Sequence, residues 1–274
     1  GLSGVSAIPL LLGCGCSVPG LTACRIMDDP GQRRLTQTIL PFVSCSARTP
    51  VYALLTSVFF PRYAWLILSG LFAFGFIIAL LWALLSSRKQ KSMAGIWILE
   101  LPPYRIPVLQ SILRSTMDRC WDFLSRAGTA VLGASMVIWL LSHYGIDGKP
   151  VSDMSISLLA RIGERASLFL KPLGCAYWQI AAALCTGVMA KEAIVSTLAV
   201  TGIYDPELME FLTPSAAMAL LVFVLLYTPC IATLITARRE SGAWSFALSM
   251  ALRQLIVAWL VGACIFQISV MLGG

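Results

Sequence analysis

The sequence predicts an all-α, polytopic membrane protein made of broken helices that form two inverted repeats. Of its 274 residues 58% are hydrophobic and 12% are charged, whereas soluble domains carry roughly 25% charged residues. The stretch from Tyr63 to Leu85 contains only apolar and small polar side chains, and a helix of that length can cross about 30 Å of hydrocarbon. The basic residues behind the net charge of +7 are scattered in short loops. That distribution is typical of a multi-pass membrane protein, so nucleic acid is not an expected partner.

Short polar breaks interrupt the apolar segments at four places. The first break of each half is Gly13 to Gly20 and Val188 to Glu192, and the second is Pro41 to Pro50 and Tyr227 to Cys230. A helical segment is expected to begin at Thr36, after a turn that contains Arg33 and Arg34, and helices are expected from Trp178 to Met189 and from Ala193 to Val200. Unwound backbone at membrane depth survives only where protein or a water-filled cavity covers it. Paired broken helices in corresponding positions of two halves mark the binding site of a transporter. The pattern therefore predicts a membrane transport pathway.

Loop charge predicts how the two halves are oriented. The basic loops at residues 88–91 and 238–239 should be cytoplasmic, which puts residues 33–34 inside and the acidic turn at 204–210 outside. The number of membrane crossings agrees with these sides only if the segment at each first break enters the membrane and returns to the same side. The two halves then have opposite orientations, as in an inverted repeat.

Three parts of the chain follow from this pattern. Residues 1–86 form the first repeat, which is incomplete at its N-terminal end, residues 87–172 form a linker, and residues 173–274 form the second repeat. In the linker, apolar residues three or four apart with arginines between them predict an interfacial helix from Glu100 to Arg126. A crossing from Thr129 to Leu141 and a second amphipathic helix from Ile156 to Leu170 should follow.

Three cysteines are candidate ligands for a metal ion. Cys16, Cys45 and Cys230 each lie beside proline or glycine at a break. Thiolate is a soft ligand and carboxylate a harder one, so a site that combines these cysteines with Glu192 would bind a borderline divalent ion such as ferrous iron. The alternative is that each cysteine is a small buried packing residue.

Lys191 and Glu192 form an adjacent ionisable pair in otherwise apolar helix. Such residues are costly in a membrane and indicate a functional site. Glu192 would be an ion ligand or proton acceptor, and Lys191 its charge partner or an anchor for phosphate or carboxylate; a structural ion pair that braces the break is the alternative. Ser17 and Ser44 are expected to support the pathway, and Arg48 to close carbonyls freed at its break.

An enzymatic function has little support in the sequence. His143 is the sole histidine, which excludes a histidine metal cluster within the chain. The segment from Gly145 to Lys149 lacks the spacing and the hydroxyl of a phosphate-binding loop. Nine cysteines are an odd number, and several lie in apolar helix, so a disulfide framework is not expected.

The motifs at the breaks resemble those of the bacterial ferrous iron transport protein B (FeoB) family. They occur in the family's order and cover nearly all of the chain. The matching stretches are Gly13-Cys14-Gly15-Cys16-Ser17-Val18-Pro19, Pro41-Phe42-Val43-Ser44-Cys45-Ser46-Ala47-Arg48, Glu100-Leu101-Pro102-Pro103-Tyr104-Arg105, Ala190-Lys191-Glu192 and Leu225-Leu226-Tyr227-Thr228-Pro229-Cys230.

The resemblance implies a multi-pass permease of the bacterial inner membrane, with two gate-type repeats, that imports Fe2+ as its transported substrate. It implies that Cys16, Cys45 and Cys230 match the family's recurrent cysteines and that Glu192 matches its helix-break acid.

The family carries an N-terminal GTP-binding domain and earlier transmembrane helices, which this sequence does not contain. The chain is therefore expected to be a C-terminal portion, or one half of a split system, and not itself an enzyme. GTP would act only through a domain in cis or in trans. Besides membrane lipid, a homo-oligomer and small accessory proteins are the further expected partners.

Two other functions stay open on the sequence. The first is a gate-type transporter of an organic solute such as a nucleoside, in which Lys191 and Glu192 would hydrogen-bond the substrate. The second is a membrane scaffold or regulatory subunit that pairs with a separate permease.

Overall fold

The computed structural model describes residues 2–87, 108–145, 149–151, 156–200 and 212–271. Within these ranges the chain is α-helical with short 3-10 turns, apart from an isolated β-bridge between Tyr144 and Pro150. The predicted all-α class is confirmed. The basic loop at 88–91, the stretch at 100–105 and the acidic turn at 204–210 lie outside the described residues.

Twelve α-helices lie in the described ranges and are numbered here in chain order. The first five are α1 (Ala7–Gly15), α2 (Ser17–Ala23), α3 (Pro30–Ile39), α4 (Thr49–Phe59) and α5 (Ala64–Ser87). The next two are α6 (Leu109–His143) and α7 (Leu158–Leu170). The last five are α8 (Trp178–Met189), α9 (Ala193–Val200), α10 (Pro214–Leu226), α11 (Ile231–Ser241) and α12 (Trp244–Met271).

A single residue, Cys16, separates α1 from α2. Its backbone is extended, with φ −151° and ψ 134°, so the helical hydrogen-bond ladder stops there and the two short helices pack against each other. Glycine makes this contact close. A methyl group on Gly20 would lie 3.0 Å from the Pro9 carbonyl oxygen and 3.1 Å from the Cα of Gly13.

The next broken helix is α3 and α4. The Asp29 carboxylate accepts a hydrogen bond from the Gly31 amide at 2.9 Å, and Pro30 occupies the first turn, a combination that favours a helix start. The helix ends in a 3-10 turn at Leu40–Phe42, and a second 3-10 turn at Ser46–Arg48 leads into α4. The backbone between these two turns is unwound.

The second half repeats this order of elements. Ala190 ends α8 with φ −143° and ψ 132°, which closely matches Cys16 at the end of α1. Cys45 and Cys230 precede the helical segment after their breaks with ψ 160° and 159°. The predicted pairing of broken helices is therefore confirmed, with Ala190 equivalent to Cys16 and Cys230 equivalent to Cys45. The opposite orientation of the halves stays a prediction.

Three helical segments are long and apolar enough to cross a bilayer, namely α5, the broken segment Pro214–Ser241 and α12. A fourth results if Leu158–Leu173 and Trp178–Met189, which meet at a bend of 102°, form one broken span. Nearly every residue of α10 is buried, whereas only 17% of the apolar window of α5 and of α12 is buried. The polytopic class is thus confirmed, with α10 at the centre and α5 and α12 available to lipid.

Two predicted boundaries are wrong. Arg33 and Arg34 lie inside α3 and not in a turn, because Asp29 and Pro30 start the helix six residues earlier than predicted. The interfacial helix and the crossing that were predicted separately form one helix, α6, and His143 is its last residue and stacks on Trp139. Only Ala127 and Gly128 separate the two predicted segments, and a helix interior tolerates one glycine at a cost of about 1 kcal/mol.

An ion-pair cluster joins the two halves at one end of the bundle. The Glu240 side chain, 2% exposed, accepts hydrogen bonds from Arg25 at 2.7 to 3.0 Å and from Arg33 at 3.1 Å. Arg25 and Arg33 belong to the first half and Glu240 to the end of α11. The contact places the basic ends of α3 and α11 at the same end of the bundle, in agreement with the charge count.

We expect Glu240→Gln to lower the free energy of unfolding by about 1 kcal/mol, because it removes two ion pairs whose arginine partners are partly exposed to solvent, with Arg25 at 67%. Thermal unfolding in detergent measures the change. Glu164→Gln, on an exposed position of α7, is the matched control and should unfold like the unaltered protein. Equal losses of stability in both variants would show that the ion pairs of Glu240 do not stabilise the protein.

Gly187 in α8 is a second sensitive point. A methyl group there would overlap the Ile194 side chain and the Tyr227 hydroxyl, and overpacking costs about 1–3 kcal/mol. We therefore expect Gly187→Ala to unfold at a lower temperature in detergent. Gly70→Ala on α5, where no atom lies within 4 Å of the added methyl, should be neutral or stabilising. A neutral Gly187→Ala would show that α8 and α9 do not pack this closely.

Candidate functional site

The thiols at the breaks lie near one another. The Cys16 thiol is within electrostatic range of the Cys230 and Cys45 thiols and of the Glu192 carboxylate. All three cysteines are partly exposed. The structure thus brings the four predicted metal ligands into one region, where breaks from both halves meet.

Each of these cysteines is the N-cap residue of the helical segment that follows its break. The Cys45 and Cys230 side chains accept no capping hydrogen bond, whereas the Cys16 sulfur interacts with the backbone of Val18 in the first turn of α2. The sulfur atoms of Cys45 and Cys230 are therefore not used to cap helices. The Cys230 thiol instead contacts the Thr233 hydroxyl at 3.1 Å.

The four groups do not form a closed metal site in this structure. Among the described residues, no three His, Cys, Asp or Glu side chains lie close enough together to hold a metal ion as they stand. The sulfur atoms and the carboxylate share an electrostatic environment without being at ligand distance from a common point. An ion bound there would have to draw them inward.

Lys191 is buried and donates a hydrogen bond to a residue of the second break in its own half. Its ammonium donates a hydrogen bond of 2.6 Å to the Thr228 carbonyl and lies 3.3 Å from the centre of the Tyr227 ring. Glu192 is exposed and makes no ion pair with Lys191 among the described residues. The prediction that Lys191 is the charge partner of Glu192 is therefore wrong, since the freed Thr228 carbonyl takes the ammonium.

Arg48 has the corresponding function at the break of the first half. Its guanidinium, buried with the rest of the side chain, donates to the Pro41 and Val43 carbonyls at 3.3 to 3.5 Å and to the Tyr227 carbonyl at 3.5 Å. The prediction that Arg48 closes freed carbonyls is confirmed. The Tyr227 contact also links the second breaks of the two halves.

The two predicted supporting serines have different surroundings. Ser17 is the buried first residue of α2, directly after Cys16. Ser44 is fully buried, and its hydroxyl lies 3.1 Å from the Tyr52 hydroxyl. Ser44 therefore holds Tyr52 of α4 against the break in this structure.

Sequence reasoning did not single out Tyr52, Thr228 or Thr233. Tyr227 and Thr228 lay in a recognised break, but their roles depend on contacts with residues far along the chain. The one available signal for Thr233 was its spacing, since it follows Cys230 by three residues as Arg48 follows Cys45.

All nine cysteines are free, as expected. Cys24 and Cys175 are buried, whereas Cys120 and Cys264 are exposed on α6 and α12. Cys120 and Cys264 lie outside the broken segments and supply matched controls for the three candidate ligands.

Paired broken helices, buried cations on freed carbonyls and long apolar spans define a multi-pass membrane protein of the transporter class. A family model described as "Ferrous iron transport protein B C terminus" matches residues 68–119, and a Gate model described as "Nucleoside recognition" matches residues 124–244. The chain belongs to the FeoB family.

Curated relatives support this assignment over nearly the whole chain. A Staphylococcus aureus "Fe(2+) transporter FeoB" is 38% identical over 98% of this chain and 41% of its own length. A Methanocaldococcus jannaschii "Fe(2+) transporter FeoB" is 35% identical over 97% of this chain and 41% of its own. A Porphyromonas gingivalis "Fe(2+) transport protein A/Fe(2+) transporter FeoB fusion protein" is 33% identical over 99% and 38%, respectively. The chain thus spans about two fifths of the length of these relatives, and no solved structure matches it.

We expect Lys191→Met to lower the free energy of unfolding by about 1 kcal/mol, because the partly buried Thr228 carbonyl would lose its charged hydrogen-bond donor. Thermal unfolding in detergent reports the loss. Lys171→Met, at an exposed position after α7, removes the same group without a buried carbonyl and should be neutral. If both variants unfold at the same temperature, Lys191 does not stabilise the break.

Proposed function

We propose that this chain is the permease part of a GTPase-coupled transporter that imports ferrous iron across the bacterial inner membrane. The observation that carries the proposal is that the Cys16 thiol lies within electrostatic range of the Cys45 and Cys230 thiols and of the Glu192 carboxylate, at breaks that belong to both halves. The similarity to Fe(2+) transporters over nearly the whole chain supports the same substrate.

The chemistry of the donors fits ferrous iron. Sulfur ligands select late first-row metal ions, and a carboxylate adds negative charge for a divalent ion. Cys16, Cys45 and Cys230 are the ligands, and Glu192 is an exposed carboxylate in electrostatic range of Cys16. The ion draws these groups inward from their present separation, which keeps its binding weak enough for release.

The two buried cations increase this selectivity. A broken helix offers freed carbonyl oxygens, which are hard ligands suited to magnesium or calcium. Lys191 and Arg48 already bond the carbonyls of Thr228, Tyr227, Pro41 and Val43. Sulfur is therefore the main ligand left at the breaks, which disfavours the hard divalent ions. Ser17 and Ser44 support the site by packing beside Cys16 and Cys45.

The transporter further contains two repeats, a linker, a GTP-binding domain and accessory partners. Residues 1–86 and 173–274 act as two gate-type repeats of opposite orientation, joined by the linker at 87–172. A GTP-binding domain, in cis or in trans, controls passage, and GTP binds only there. A fused FeoA and FeoB relative supports small accessory proteins as partners, and a homo-oligomer is a further proposed assembly.

Transport of an organic solute is not favoured. The ammonium of Lys191, which would have to bind the solute, is buried and bonded to the Thr228 carbonyl. A cavity between α4, α8, α9 and α10 is lined by aliphatic side chains alone, so it offers a nucleoside no hydrogen-bond partner. A scaffold without transport is not favoured either, because a scaffold has no need of partly exposed thiols at its helix breaks.

The test is uptake of radioactive Fe2+ by cells that lack ferrous uptake of their own and express the protein as its gene encodes it. Cys16→Ser, Cys45→Ser and Cys230→Ser should each reduce uptake at least about tenfold, since even outer-shell changes at metal sites cost that much. Glu192→Gln should reduce uptake in the same direction.

Cys264→Ser and Cys120→Ser are the matched controls, because both thiols are exposed on helices outside the broken segments. Uptake by these variants should equal that of the unaltered protein. Full uptake by all three break variants at normal expression would end the sulfur-site proposal.

A further inference from the structure

A buried glutamine in α12 has no evident structural partner. Gln254 is 1% exposed, and neither its amide nitrogen nor its amide oxygen makes a hydrogen bond with any described residue. Buried polar groups are normally paired, and an exception calls for an explanation such as a bound water or ion. Gln254 also lies in a span long and apolar enough to cross the membrane, where an unpaired amide is especially costly.

In the hairpin of α11 and α12, Gln254 lies about as far from the connecting loop as Thr233, which follows the break at Cys230. Thr233 lies about 12 Å before the end of α11 and Gln254 about 15 Å after the start of α12, at 1.5 Å per residue. Ala237 and Met250, one turn closer to the hairpin loop, belong to the same packed cluster. Thr233 and Gln254 are both buried and therefore lie at similar depth on the inner faces of their helices.

A second unpaired amide lies at this depth. The Gln37 amide nitrogen is buried and makes no hydrogen bond among the described residues. Gln37 lies about 11 Å from the start of α3, one turn deeper than Arg33, which bonds Glu240 at the end of the bundle. Thr233 and Gln254 form what we call the polar layer, between the break thiols and the Glu240 cluster, and Gln37 lies on another helix at a comparable depth.

The repeat shows why this layer has room for a cation. The residue three positions after Cys45 is Arg48, whose guanidinium fills the break of the first half. The equivalent residue after Cys230 is Thr233, whose small hydroxyl contacts the Cys230 sulfur at 3.1 Å. The second half therefore has the Thr233 hydroxyl, with the Gln254 amide at a similar depth, where the first half has a fixed positive charge.

We propose that the polar layer is a second binding station for the transported divalent cation, with the Gln254 amide oxygen and the Thr233 hydroxyl as its ligands. The proposal rests on the proposed function, since it extends the path of the same ion beyond Cys230. Neutral oxygen ligands bind a late first-row ion more weakly than sulfur and leave it partly hydrated. Transfer from the thiols to this layer would release the ion towards the end of the bundle that carries Glu240.

The main test compares Gln254→Leu with Gln267→Leu. Gln267 is an exposed glutamine on the same helix and controls for the substitution itself. Radioactive Fe2+ uptake should fall about tenfold in Gln254→Leu, in the range seen when partners of a metal site are removed, and should be unchanged in Gln267→Leu. The shape-matched Thr233→Val should share the loss.

Thermal unfolding in detergent separates a transport function from a structural one. Gln254→Leu replaces an unpaired buried amide by an apolar group of similar size, so its unfolding temperature should be unchanged or higher. Unchanged uptake would overturn the proposal. A loss of uptake together with a clearly lower unfolding temperature in both Gln254→Leu and Thr233→Val would also overturn it, because the residues would then serve only packing.

Binding of Co2+ to the purified protein distinguishes this failure from failure of the proposed function. The charge-transfer absorption of Co2+ bound to thiolate reports the sulfur site and should persist in Gln254→Leu. If the unaltered protein shows neither this absorption nor uptake, the sulfur-site proposal fails first. If it shows both and Gln254→Leu behaves identically, only the second station is refuted.

Discussion

Backbone carbonyls freed inside a membrane need hydrogen-bond donors, and the arrangement of this molecule depends on how it supplies them. Each broken span exposes carbonyls at a depth where water is excluded, and each unsatisfied group costs several kcal/mol. Lys191 and Arg48 supply the donors from side chains that are themselves buried. The Arg48 contact with the Tyr227 carbonyl makes the two breaks interdependent.

The two halves share a backbone plan but differ in where they place positive charge. Lys191 follows Ala190, whereas Ser17 follows the equivalent Cys16; Arg48 and Thr233 are paired in the same way. At both pairs of equivalent positions, one half has a fixed cation and the other a hydroxyl group. Each half thus has one fixed cation and one hydroxyl group, and the two kinds of group occupy opposite breaks in the two halves.

Local contrast made some of the fold predictable. The structure has α8 and α9 at the predicted bounds, because the charged pair at 191–192 stands out against apolar residues on both sides. The start of α3 was missed although Asp29 and Pro30 carry an N-cap signature, since the same residues also suit a turn.

Contacts between distant residues were not predictable. Lys191 bonds the carbonyl of a residue 37 positions away. Every residue has a backbone carbonyl, so the sequence does not show which one is free to accept a hydrogen bond. The adjacent Glu192 carboxylate is the only partner for Lys191 that the sequence indicates. Gln254 could not be singled out from the sequence, because one glutamine in an apolar helix does not reveal whether its amide has a hydrogen-bond partner. Only packing shows that its amide lies buried without a hydrogen bond.

Iron X-ray absorption spectroscopy of the purified protein, loaded with Fe2+ under reducing, oxygen-free conditions, tests the convergence of the thiols most directly. The account predicts a shell of sulfur scatterers around iron that shrinks when Cys230 is replaced by serine and is unaffected when Cys264 is replaced. A shell of oxygen and nitrogen alone in the unaltered protein, with iron bound stoichiometrically, would contradict it.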